Sequence, residues 1–229
     1  MSQELAQRIS AAARWWLPWP LLLLVLQIRD APTPAQQAAA DPLLLICGAI
    51  ASLPITAALA LAAATFWALR YKVSGRIILQ EGLWALAAIL LVSVTLLVLH
   101  HVNGAVLPGF IPPEESAAPG MTLGLAAGVL EEAMFRLMLL PLLLVLLTRW
   151  LPATRAQLIA IAVTALAFTL LHEVHEPQWQ PGHLVTRFVL PGVVMSLIFI
   201  RISPSALLSG HCFAHVLIPG LFLPPTTMP

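Results

Sequence analysis

Charge is what this sequence has least of. Only 9% of its 229 residues are Asp, Glu, Lys or Arg, against about a quarter in an ordinary soluble domain. Hydrophobic residues make up 60% and the mean hydropathy is +0.93. Such a chain has too little polar surface for water to be its main solvent. Eleven basic and ten acidic residues leave a net charge of +1, with no basic run to follow a phosphate backbone, which argues against a nucleic-acid partner. Cysteine is nearly absent: Cys47 and Cys212 both lie inside apolar stretches, form no CxxC pair and read as small buried residues. Asp30 and Asp41 fall in loops, so no aspartate is expected inside a membrane segment, and no serine sits in a GxSxG setting. His172-Glu173-Val174-His175 is one residue short of HExxH. Aspartic, serine-elbow and HExxH chemistries are therefore disfavoured.

What the chain does have is long apolar runs, at about 15–27, 43–69, 83–99, 121–147, 156–172, 184–200 and 204–223. Since about 20 apolar residues cross a bilayer, the expected fold is all-α: a polytopic transmembrane helix bundle of about six to seven spans, with any site inside the bundle. The first run, with Trp15, Trp16, Pro18, Trp19 and Pro20, reads as a short span or an aromatic anchor at the membrane surface. A cleaved signal sequence is not expected, because Arg29, Asp30 and a polar stretch separate that run from Ala38-Ala39-Ala40.

Loop charge sets an expected orientation. Arg8, Arg14, Arg70, Lys72, Arg76, Arg149, Arg155 and Arg201 share one side of a seven-span arrangement, with Arg29 and Arg187 opposite. The positive-inside rule then predicts a cytoplasmic N-terminus and an exported C-terminus.

The few buried charges are concentrated. Glu131, Glu132 and Arg136 lie near the middle of the run 121–147, where each ionisable group costs roughly 2.5–3.5 kcal/mol on insertion scales. Glu132 and Arg136, four apart, can pair on one helical face, while Glu131 is rotated by about 100° toward another partner. A structural salt-bridge network locking helices together is the plainer reading of this trio. Gly120, Gly124 and Gly128 repeat every four residues just upstream and predict a smooth strip where a neighbouring helix approaches.

Histidines on other segments are the expected partners. Phe168 and His172 are four apart in one run, and His211 and His215 four apart in the last, each pair on one helical face. His100, His101, His175 and His183 fall at segment ends or in polar stretches, where solvation explains them. A carboxylate in a low-dielectric site holds protons more tightly and can act as general base on water, and neutral histidines can donate to an oxyanion. Glu131 with His172 suits the first task, His211 and His215 the second. The competing arrangement is a zinc site built from Glu131, His172 and His211.

In this order and spacing, Glu131-Glu132-Ala133-Met134-Phe135-Arg136 (EExxxR), Phe168 to His172 (FxxxH) and His211 to His215 (HxxxH) resemble the CPBP family of CAAX and bacteriocin-processing proteases, also called Abi proteins. The resemblance covers about residues 120–220. It implies a glutamic-type intramembrane endopeptidase in which Glu131 activates water with His172, His211 and His215 serve the oxyanion side, and Arg136, Glu132 and Phe168 support them. No cofactor is favoured, with zinc as the alternative. The family's last motif often ends in asparagine where this chain has His215, which makes metal coordination easier to envisage. On this reading residues 1–119 hold N-terminal membrane segments and loops, and 120–223 the catalytic helical core, within one membrane domain.

The expected partners are the lipid bilayer and a membrane-anchored or exported peptide or protein substrate, in a bacterial cytoplasmic membrane. His172 near the exported face favours such a substrate over a cytosolic prenyl-protein. Two other functions compete: a catalytically silent membrane scaffold or immunity protein, and a small transporter, which the lack of internal repeats disfavours.

Overall fold

The computed structural model describes residues 1–29, 54–102, 121–175 and 181–222, which are helical apart from short connections and contain no strand. In chain order the helices are α1 (Gln3–Trp16), α2 (Pro18–Arg29), α3 (Pro54–Arg70), α4 (Gly75–Val102), α5 (121–147), α6 (Ala153–His175), α7 (181–202) and α8 (Pro204–Phe222). The expected all-α class is what the molecule has. Two stretches, Gly75–Val98 and Ala153–Leu171, are long and apolar enough to cross a membrane, and Ala57–Arg70 and Leu190–Ile202 are shorter apolar helices.

Apolar side chains face outward as well as inward. On α4, Leu79, Leu83, Leu86, Leu90, Leu91, Val94 and Leu97 are exposed while Glu81 is buried. This inverts the pattern of a water-soluble helix and suits a helix bathed in lipid. The inner contacts rely on small residues: Ala57, Ala60 and Ala64 form a buried stripe on α3, where short side chains let helix backbones come close. At the centre, α5 buries Leu125, Val129, Ala133, Leu137, Leu140 and Leu144 and packs against α2, α3, α6 and α8.

The N-terminal region differs from expectation. Residues 3–14 contain no apolar run, yet they form α1, whose buried Leu5, Ile9, Ala12, Ala13 and Trp16 follow a helical stripe. Ser2 caps it by accepting from the Leu5 N–H. The expected segment 15–27 is split, because α1 ends at Trp16 and α2 begins at Pro18, a residue that lacks an N–H and tolerates only the first turn of a helix. At 12 residues α2 rises about 18 Å, short of the roughly 30 Å hydrocarbon core. α1 lies across one end of the bundle: Arg14 donates to the Ala68 carbonyl, Gln7 to that of Lys72, Trp15 to that of Ile78 and Arg8 to that of Ile202. Those acceptors mark the end at which α3 and α7 finish and α4 begins, and they bring Arg8 and Arg14 beside the basic residues of the intervening turns.

Three stretches are wound as π-helix: Glu132–Leu139 in α5, and Val185–Val189 and Ile198–Ile202 in α7. A proline stands two residues beyond each, at Pro141, Pro191 and Pro204. At Pro141 and Pro191 the cause is local. A proline cannot donate to the carbonyl four residues back and its ring collides with it, and widening the preceding turn to i→i+5 bonds relieves the collision. Leu140 N–H accordingly bonds the Phe135 carbonyl. The Leu137 carbonyl, four residues before Pro141, accepts instead from Trp67 Nε1 of α3 at 2.6 Å.

Candidate active site

The widened turn of α5 carries the buried charges. Glu132 and Arg136 are fully buried and Glu131 nearly so. Glu132 Oε1 lies 3.6 Å from Arg136 Nη1, so the pairing expected from the four-residue spacing is present. Arg136 also reaches Met195 Sδ on α7 at 3.0 Å, and its guanidinium lies 4.9 Å from the Phe168 ring centre and 5.7 Å from that of Phe135. Those two rings meet edge to face. Phe168 is thus more than a spacer before a histidine: its π face supports the cation that supports Glu132.

α8 brings the histidines. His211 Nδ1 approaches Glu132 Oε1 at 2.6 Å, its Nε2 lies 3.7 Å from Glu131 Oε2, and His215 Nε2 is 3.2 Å from His211 Nε2. The two adjacent glutamates therefore address opposite nitrogens of one imidazole. A neutral His211 donates its Nδ1–H to Glu132, which leaves Nε2 as an acceptor for the Nε2–H of His215. Glu132 Oε2 and Arg136 Nε have no hydrogen-bond partner among the described residues.

Close approach of α8 to α5 depends on Gly128. A Cβ there would lie 3.1 Å from His215 Cδ2 and 3.2 Å from the Cys212 backbone, so the smooth strip expected from the glycine spacing is used at this position. Gly120 lies outside the described residues. The backbone places His172 four residues after Phe168 on α6, and its side chain lies outside the described residues.

Residues 113–219 match the family described as type II CAAX prenyl endopeptidase, Rce1-like. This part of the chain belongs to that family. No curated protein and no solved structure gives a significant match. The match indicates a CAAX-protease-type hydrolase of a membrane-embedded family, and the matched residues carry the whole of EExxxR, FxxxH and HxxxH. α1 through α4 lie outside the match.

A metal site can be tested on the donors present. One ligand atom each from Glu131, His211 and His215 lies within 4.8 Å of the others. The 3.2 and 3.7 Å separations among them bracket the roughly 3.4 Å between two donors about 2.1 Å from a tetrahedral zinc ion. Two of the three separations thus suit a zinc ion and the third lies within 4.8 Å, with Glu132 behind His211 in the position of an orienting carboxylate. Among the described residues the donor set is Glu131, His211 and His215, one face of α8 presenting both histidines to the same carboxylate; the side chain of His172, a member of the expected set, lies outside them.

Sequence reasoning missed Met195, Trp67 and the π-helical widening. Pro141, following EExxxR by five residues, was the signal for the last two. Nothing in the sequence around Met195 marks it as a partner of Arg136.

Proposed function

We propose that this chain is a multi-pass membrane endopeptidase that hydrolyses a peptide bond in a membrane-associated substrate with water activated by Glu131. The observation that carries the reading is the convergence of two adjacent buried carboxylates on opposite nitrogens of His211. Glu132 fixes the tautomer and orientation of His211, and Arg136 pairs with Glu132 from the next turn. Glu131, near mid-depth, takes a proton from water as the water oxygen bonds to the scissile carbonyl carbon, and passes it to the leaving amine when the C–N bond breaks. The oxyanion formed meanwhile accepts a hydrogen bond from the Nε2–H of His215, which turns to it from His211 Nε2. By the FxxxH pattern of the family resemblance, His172 is assigned as the second partner of Glu131.

A groove of about 550 Å³ runs between α4, α7 and α8, lined by Trp84, Leu91, Val194, Met195, Gly210 and His211 among others and almost wholly apolar. Leu91, Trp84 and Val194 are exposed on the outer surface of the bundle, so the groove opens sideways. It suits the apolar chain or segment of a membrane-anchored substrate and delivers it beside His211. A prenylated peptide and an exported lipid-anchored peptide share that chemistry, and the basic end capped by α1 is taken as cytoplasmic.

Comparison of membrane peptides from cells carrying the native chain or Glu131→Gln at equal abundance tests this function. A fragment produced only by the native chain supports hydrolysis and names the substrate; identical peptide sets support a scaffold. A second reading, favoured by the Glu131, His211 and His215 donor set, is a zinc peptidase in which the ion would polarise the scissile carbonyl. Loss of the fragment under chelation, with recovery on adding zinc, selects it over the metal-free mechanism.

A further inference from the structure

A third buried carboxylate lies outside the residues that match the family. Glu81 on α4 is buried, with 1% of its surface accessible. Its Oε1 pairs with Arg8 Nε of α1 at 3.0 Å. Its Oε2 accepts from the Ser203 hydroxyl at 2.6 Å and from the Ser205 N–H at 3.1 Å. The Ser203 oxygen in turn accepts from the Ala206 N–H at 3.0 Å. Glu81 thus holds the first turn of α8 from a neighbouring helix, satisfying amide donors that a helix start leaves without intrahelical acceptors. Arg8 also donates to the Ile202 carbonyl, so α1, the end of α7, the start of α8 and α4 meet at one point.

The same two helices touch again two turns along. A Cβ at Gly210 would lie 3.2 Å from Ala88 Cβ. Ala88 follows Glu81 by seven residues and Gly210 follows Ser203 by seven, so the two contacts lie in register on parallel helices. His211 comes immediately after the second contact. On its other side α8 is backed by the N-terminal segment, where Trp19 packs against Phe213 with ring centres 6.1 Å apart.

We propose that Glu81, held by Arg8, is a positioning residue: it fixes the height and rotation of α8 and thereby the alignment of His211 and His215 on Glu131. The assignment of those histidines rests on the function proposed above, but the geometric effect on them does not. The N-terminal helices then contribute to the site although they lie outside the matched region and touch no reacting atom.

The test uses the full chain in lipid nanodiscs, with nitrogen-15 labelled histidine and with Arg8→Ala, Arg8→Lys and Glu81→Gln beside the native protein. His211→Gln and His215→Gln identify the two resonances. The expected result is that Arg8→Ala and Glu81→Gln move the His211 and His215 signals at native elution volume and that Arg8→Lys restores them. Cleavage falls on the order of ten- to a hundred-fold in kcat at unchanged KM, as sub-ångström to ångström misplacement of a reacting group does. Arg8 is partly exposed, and its removal leaves Glu81 the two donors from α8, so Arg8→Ala carries the test if Glu81→Gln fails to fold. Native histidine signals in a folded Arg8→Ala protein would overturn the proposal. The spectra decide it even where the native protein cleaves nothing, a result that would count against the peptidase reading alone.

Discussion

Two buried carboxylate clusters sit on α8, one at its first turn and one two turns along, and they differ in how completely their atoms are used. At the first, both Glu81 oxygens are taken, by Arg8, Ser203 and Ser205. At the second, Glu132 Oε1 serves both Arg136 and His211 while Oε2 has no hydrogen-bond partner among the described residues. Burial of a charge in a membrane bundle therefore does not by itself mark chemistry. A carboxylate with both oxygens taken marks a joint, and one with a spare acceptor marks a place where a further molecule can enter.

That contrast can be broken by mutation. The largest effect is expected from Glu131→Gln, which removes the proposed general base and on that reading lowers peptide hydrolysis by about 10²–10⁴-fold with little change in thermal unfolding; an equally inactive but unfolded variant would place Glu131 with the joints. Next comes Arg136→Ala, which strands the fully buried Glu132 and is expected to cost about 3–5 kcal/mol, read as a lower unfolding temperature in detergent. Gly128→Ala inserts a methyl group 3.1 Å from His215 Cδ2 and is expected to cost about 1–3 kcal/mol while shifting the His215 NMR signal; an unmoved signal would show that α8 has slack at this level. The smallest is Trp67→Phe, which deprives the Leu137 carbonyl of its donor and is expected to cost about 1 kcal/mol. Its cost should shrink in a Pro141→Ala background, where residue 141 regains an N–H.

Different features were legible to different degrees. Glu131, Glu132 and Arg136 stood out because they interrupt an apolar run, and the four-residue spacings of Phe168 and His172 and of His211 and His215 carried a family resemblance that the match over residues 113–219 supports. Glu81 gave no such signal, because it lies near the start of α4 beside Gln80 and Arg76, where a polar residue reads as solvated. α1 was missed for a related reason: its buried stripe is largely alanine, with Leu5, Ile9 and Trp16 spaced too widely to form an apolar run. The break at Leu17 was legible in Pro18, but length alone placed the first segment across it.

The sequence by itself determined that this chain is helical, too apolar for water, and equipped with charges and histidines on separate segments, because hydropathy and helical periodicity are local properties that survive without a fold. Only the tertiary structure decided which oxygen faces which nitrogen. Glu132 pairs with Arg136 by spacing, but its contact with His211 Nδ1, the place of His215 beside Glu131, and the grip of Arg8 and Glu81 on α8 join residues 73 to 124 positions apart or more in some pairs and only four in others. Such pairings depend on the height and rotation of whole helices, and those are set by small-residue contacts such as Gly128 and Gly210 and by Pro141 and Pro191, which widen the turns before them.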